Sequence, residues 1–236
     1  NDRQLHTPLA LLLNLLLALP GALLLTLCGY LLQMDARGQN LGLSSALYQL
    51  AQAWLVFYTA YRLLSPGRMA ELHFRWSKPQ VAFLRDEIRR LGLVILVLVV
   101  VVSIAEQQPA MLAEDVLGLV VILACYALMS WRLMRILLKG PASENAPPAR
   151  LFLGVLFSLL PLALIVVVGT GYYYTALKLT ERLIDTLYLL MFWIALESTL
   201  VRSLTIAARR LAYQRAMDQR QAAEEEGTGE RHEIIA

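Results

Sequence analysis

Of the side chains that could do chemistry, Glu197 lies deepest in an apolar run. It sits thirteen residues beyond Ile184, where the run begins, and nine before Ile206. At 1.5 Å per residue that is roughly 20 Å from one end and about 13 Å from the other. A carboxyl at such depth is a candidate proton or cation site, or a hydrogen-bonding link between two helices. Arg202, the nearest cation, is five positions on and roughly 140° around a helix, so the two do not share one stripe. Packing is the expected role, with gating or ion sensing as its alternative.

The remaining raw material is thin. His6, His73 and His232 have no Cys, Asp or Glu at metal-ligand spacing, and Cys28 and Cys125 lie inside apolar runs as small hydrophobes expected to be buried. The sequence contains no G-x-G-x-x-G, Walker, G-x-S-x-G or H-E-x-x-H motif, and Gly169 and Gly171 read as the loosened end of a helix. These residues point away from an enzyme, and no catalytic residue, cofactor or metal is expected.

The elements that must position Glu197 follow from composition. Of 236 residues 58% are hydrophobic and 17% charged; soluble domains carry about 45 to 50% and about 25%. With strand alternation absent, the expectation is an all-α membrane protein, a polytopic bundle of about six transmembrane helices with a cytoplasmic helical extension. The runs 9–32, 42–64, 86–106, 116–138, 151–172 and 184–206 make a transmembrane domain over 1–206, since about 20 apolar residues cross the hydrocarbon. The third run is the most apolar but covers only 91–105, roughly 22 Å of helix, and must borrow length from a neighbour to cross. Pro20 and Pro161 fall mid-run, where kinks filled by neighbouring helices are expected rather than the paired broken helices of a transporter.

Charge gives the direction. Placed on this helix scheme, Arg37, Lys178 and Arg182 are the only basic residues on one side; the other eighteen of 21 fall opposite, which puts both ends of the segment in the cytoplasm. The connection 106–115 has no Lys or Arg and three acids, as an outside loop would. Tyr30, Tyr48 and Tyr172 to Tyr174 then lie at outer ends, with Tyr61 and Trp131 at inner ends.

Two segments suit the inner membrane surface. Gly67 to Arg90 mixes Phe74, Trp76 and Phe83 with basic residues, as an interfacial amphipathic stretch does; Arg68, Arg75, Trp76, Arg89 and Arg90 are its candidate contacts with lipid headgroups. Beyond residue 206, good helix formers over 207–226 predict a cytoplasmic extension of the sixth helix, with Arg209 and Arg210 near the lipid surface. Residues 227–236 read as a linker toward a further domain, so the chain is expected to be part of something longer.

The string TIAARRLAYQRAMDQRQ, Thr205 to Gln221, resembles the arginine-rich extension after a transmembrane helix in the large MscS-like mechanosensitive channels of the MscK type. GRMAELHFRW, Gly67 to Trp76, is similar to the basic aromatic loop of the same inner-membrane domain. The resemblance implies a bacterial inner-membrane channel, heptameric, opened by tension to release ions and osmolytes in hypoosmotic shock. This segment would be its peripheral, tension-sensing helices, in contact with membrane lipids and not nucleic acid, because no small-residue pore helix or β-rich vestibule is present. A secondary transporter using Glu197 and a structural membrane anchor are the alternatives.

Overall fold

The computed structural model describes residues 6–34, 41–65, 78–106, 116–140 and 148–233. Among them there are six helices and no strand: α1 (His6–Met34), α2 (Leu41–Leu63), α3 (Lys78–Ala105), α4 (Val116–Lys139), α5 (Pro148–Gly169) and α6 (Tyr173–Glu233). The all-α expectation holds. Four helical stretches, Leu12–Met34, Lys78–Ala105, Val116–Lys139 and Leu151–Gly169, are long and apolar enough to cross a membrane.

Residues 2–193 form one compact unit and 194–236 belong to a second. In the first, the main helix contacts run in chain order, α1 with α2, α2 with α3, α3 with α4 and α4 with α5. Small residues make the first of these seams. Asn14, Ala18 and Ala22 follow at four-residue spacing on the buried stripe of α1, and α2 buries Ser44, Ala46, Ala51 and Ala53. The seam is pinned by Ser44 Oγ donating to the Gly29 carbonyl at 2.8 Å. Close backbones and polar cross-links replace the hydrophobic drive that lipid removes.

On α3, Leu91, Ile95, Leu98, Val99 and Val102 recur at helical spacing and meet Ile122, Cys125, Tyr126, Met129 and Leu133 of α4 in the core. Gly92 suits the close approach of α2 to α3: a Cβ there would stand 3.0 Å from Phe57 Cγ, and the ring would have to shift by a few tenths of an ångström. Proline opens α3 in its first turn at Pro79 and opens α5 at Pro148, where the missing N–H costs nothing.

The first part of α6 joins this core through Ala176, Leu177, Leu183, Ile184 and Leu187. The Tyr126 hydroxyl bonds the Thr180 hydroxyl, which itself donates to the Ala176 carbonyl at 2.7 Å. Between α5 and α6 the chain turns at Gly171, whose φ is +87°. Tyr172 N–H donates to Val167 O and Gly171 N–H to Val168 O, the paired bonds of a Schellman ending that needs glycine at this position.

Boundaries differ from the expected ones for physical reasons. α3 begins at Lys78 rather than 86, so the short apolar run gains its length on the charged side. Part of the expected surface stretch is thereby built into a packed helix, with Val81 buried. α6 begins at Tyr173, eleven residues before 184, because its charges occupy one face while apolar residues face the core. It continues through Gly227 and Gly229 to Glu233, since each glycine costs a helix only about 1 kcal/mol. Cys125 is buried as expected, but Cys28 is exposed on α1.

The outer faces are apolar: Leu16, Leu24 and Leu31 of α1, Leu117 and Val120 of α4, and Phe152, Leu156 and Val166 of α5 are all exposed. Surfaces of this extent fit hydrocarbon and not water. In the second unit the helix from Ile194 onward likewise exposes Leu200, Val201 and Leu204.

Candidate functional site

Antiparallel pairing brings the end of α2, the start of α3 and the end of α4 to one end of the first unit. There the structure assembles a charged cluster around Glu87. Its side chain is 1% exposed, and it accepts from Arg132 Nη1 at 3.0 Å and pairs with Arg135 Nη2 at 3.2 Å. The two arginines sit three positions apart on α4, one turn of one face, so both reach the carboxylate from the same side. Arg135 also lies 5.8 Å from the centre of the Phe83 ring, one turn before Glu87 on α3.

Aromatic and basic side chains extend this level onto α2. Arg85 donates to the Tyr61 hydroxyl at 2.8 Å with its guanidinium 4.2 Å from the ring centre. Arg62 donates to Tyr58 at 3.2 Å, and Tyr58 stacks on Trp54 at 5.2 Å. Asp86 and Arg90 form an exposed pair at 2.8 Å within α3. Burying a carboxylate costs several kcal/mol, offset only where the geometry is good and further donors complete it. Two guanidiniums on one carboxylate meet that demand and tie α3 to α4.

The opposite end carries a lighter arrangement. Lys178 of α6 pairs with Glu106 at 3.1 Å and with Glu181 at 3.4 Å, its own side chain about half exposed. The hydrogen bond to Glu106 raises the Lys178 amine above the ordinary lysine value.

The candidates read from sequence are dispersed. Pro20 is exposed in α1 and Pro161 buried in α5, and both helices run through them. Glu197 is half-buried on α6. Arg89 and Arg90 are exposed on α3. Arg68, Arg75 and Trp76 lie outside the described residues, as do the side chains of Arg202, Arg209 and Arg210 on α6. Depth along a run singles out Glu197, yet the acid fully enclosed by other helices is Glu87. A readable signal existed: Glu87 stands four positions before Leu91 and eight before Ile95, on the buried stripe of α3.

Among the described residues no three His, Cys, Asp or Glu side chains gather to hold a metal. What the cluster can do is mechanical: it ties α3 to α4 through an enclosed ion pair, with Arg85 and Tyr61 linking α2 to the same level.

Residues 1–235 match the family model described as mechanosensitive ion channel inner membrane domain 1. The chain is 35% identical over 234 residues to the mechanosensitive channel MscK of Escherichia coli K12, covering 96% of this chain and 20% of that protein. It is 30% identical over 229 residues to an uncharacterized MscS family protein of Haemophilus influenzae, covering 93% of this chain and again 20% of the relative. The chain thus spans about one fifth of the length of these relatives, and no solved structure matches it. Matched from end to end and built of apolar helices, the chain belongs to the inner-membrane domain family of the MscS-type mechanosensitive ion channels.

Proposed function

We propose that this chain is the peripheral, tension-sensing membrane module of a mechanosensitive channel that protects a bacterium from hypoosmotic shock. The observation that carries the reading is the family match across residues 1–235. It favours a channel module over a transporter or a plain anchor. The outward apolar faces of α1, α4 and α5 support it physically, because hydrophobic mismatch costs fractions of a kcal/mol per Å for each helix and sums over the row. The pore, and assembly into a heptamer, belong to other parts of the full-length protein. Glu197 serves helix packing, and Arg89, Arg90, Arg209 and Arg210 meet lipid headgroups.

In this reading α2 and α6 also cross, the protein sits in the bacterial inner membrane, both ends of the segment are cytoplasmic, and 207–226 continues the sixth helix there. The Glu87 end is then the inner end. The decisive experiment is patch clamp under suction on the full-length channel with and without this region, beside the segment alone in liposomes. A shifted threshold and a silent segment are expected; tension-gated current from the segment, or an unmoved threshold, would overturn the sensor role. Orientation has its own check. An impermeant thiol reagent added outside should label Gln108→Cys and spare Ser143→Cys, and the reverse pattern would invert the topology.

A further inference from the structure

A groove of about 690 Å³ runs along α4 and α5, lined by Trp131, Met134, Leu138, Leu159 and Leu162, with Arg135 and Lys139 at one end. The volume is in the usual range of ligand sites, about 300 to 1,000 Å³. From Lys139 to Ala127, the far lining residue on α4, are twelve positions, roughly 18 Å of helix. That is a little over half of the roughly 30 Å hydrocarbon thickness. A groove charged at one end, apolar along its length and one leaflet deep has the polarity and dimensions of a lipid.

Among the described residues, the charge at its head is not balanced. Glu87 supplies one negative charge against Arg132 and Arg135, and Lys139 adds a further positive charge. Asp86 is taken by Arg90. The Arg135 Nε–H is buried without an acceptor among the described residues, so the carboxylate does not complete this guanidinium. Trp131 and Leu138 are exposed along the wall, open to whatever surrounds the helices.

We propose that this groove is a binding site for an anionic phospholipid, its phosphate on Arg135 and Lys139 and one acyl chain along Trp131, Leu138, Leu159 and Leu162. The inference rests on the membrane-module reading and on the Glu87 end lying at a headgroup level, and it does not depend on gating. Charge complementarity selects the occupant: a zwitterionic headgroup brings its own cation to a site already carrying a net positive charge. The lipid joins α4 to α5 at the level of the Glu87 cluster, which couples membrane composition to the seam between α3 and α4.

The test uses the full-length channel in nanodiscs with brominated-chain phosphatidylglycerol or phosphatidylcholine. Subtracting the signal of Trp131→Phe isolates quenching at the groove. Phosphatidylglycerol should be preferred about fivefold, the worth of roughly one basic residue near an anionic surface. Lys139→Gln, which alters no ion pair of Glu87, should lower that preference to the share owed to Arg135, while quenching by brominated phosphatidylcholine persists and shows the groove intact. Equal quenching by the two lipids in the wild type, or a preference unchanged in Lys139→Gln, would overturn the site. Displacement of brominated phosphatidylglycerol by millimolar glycerol phosphate would also overturn it, by assigning the cations to a soluble anion. A tension threshold indifferent to the whole region would sink the sensor role and leave this binding result standing.

Discussion

On each side of the apolar stretch 91–105 an acid is paired with a base, at nearly the same distance. Glu87 meets Arg132 at 3.0 Å and Glu106 meets Lys178 at 3.1 Å. Their surroundings differ in degree: Glu87 is 1% and Glu106 14% exposed, Arg132 19% and Lys178 48%. The Glu87 carboxylate is closed off by α4, whereas the Lys178 amine is about half exposed and shared with Glu181. Distance therefore says little about the weight of either pair. Enclosure decides it, because a buried charge has no water to fall back on when its partner leaves.

The largest test of this contrast is Glu87→Leu, which strands two guanidiniums at the α3–α4 seam. A loss of about 3 to 5 kcal/mol is expected in thermal or denaturant unfolding of the purified channel. Replacing Arg132 and Arg135 by methionine in the same protein should recover much of it, since an apolar set of similar volume removes the stranded charges. A loss no greater than that of Glu106→Leu would break the contrast.

Tyr126→Phe probes an uncharged bond enclosed in the same core. It removes one hydroxyl from a Thr180 that keeps its bond to Ala176, so the cost should be about 1 kcal/mol in the same assay. A cost matching Glu87→Leu would mean that burial alone, without charge, sets the scale.

The smallest effect belongs to Lys178→Met, at most about 1 kcal/mol after discounting for solvent. The sign with pH is set by the raised amine: its contribution is whole below the ordinary lysine pKa and fades as pH climbs through the higher folded value. Stability differences between wild type and Lys178→Met should thus be flat from neutral pH to about pH 9 and shrink only in stronger alkali. A difference that vanished near neutrality would place some other titrating group at this end.

Much of the fold is legible because membrane helices advertise themselves by unbroken apolar runs, and the all-α class needs nothing more. Residues 173–183 hide better: Lys178, Glu181 and Arg182 look like a loop until Ala176, Leu177, Thr180, Leu183 and Ile184 are seen to share one helical face. Glu87 hides for a related reason. It stands in the string Asp86, Glu87, Ile88, Arg89, Arg90, which has the look of a solvated surface, and its true partners lie 45 and 48 positions away on α4. Pairing across that separation is a property of packing, not of composition. Glu197 attracts notice in the linear sequence for the opposite reason, being the lone acid over residues 190–203.

That separation has a consequence in time. Packing in chain order means that α2 finds α1, and α3 finds α2, as each leaves the ribosome, an arrangement of local contacts that favours rapid assembly. The Glu87 carboxylate must wait. Arg132 is made 45 residues later, roughly 2 to 9 s at about 5 to 20 residues per second. In the proposed topology the Glu87 carboxyl, at the inner membrane edge, lacks both guanidiniums for those seconds, and α3 is then expected to stay close to water or to headgroups until α4 arrives. The stoichiometry that secures the finished domain thus also sets the order in which its third helix can be released into lipid.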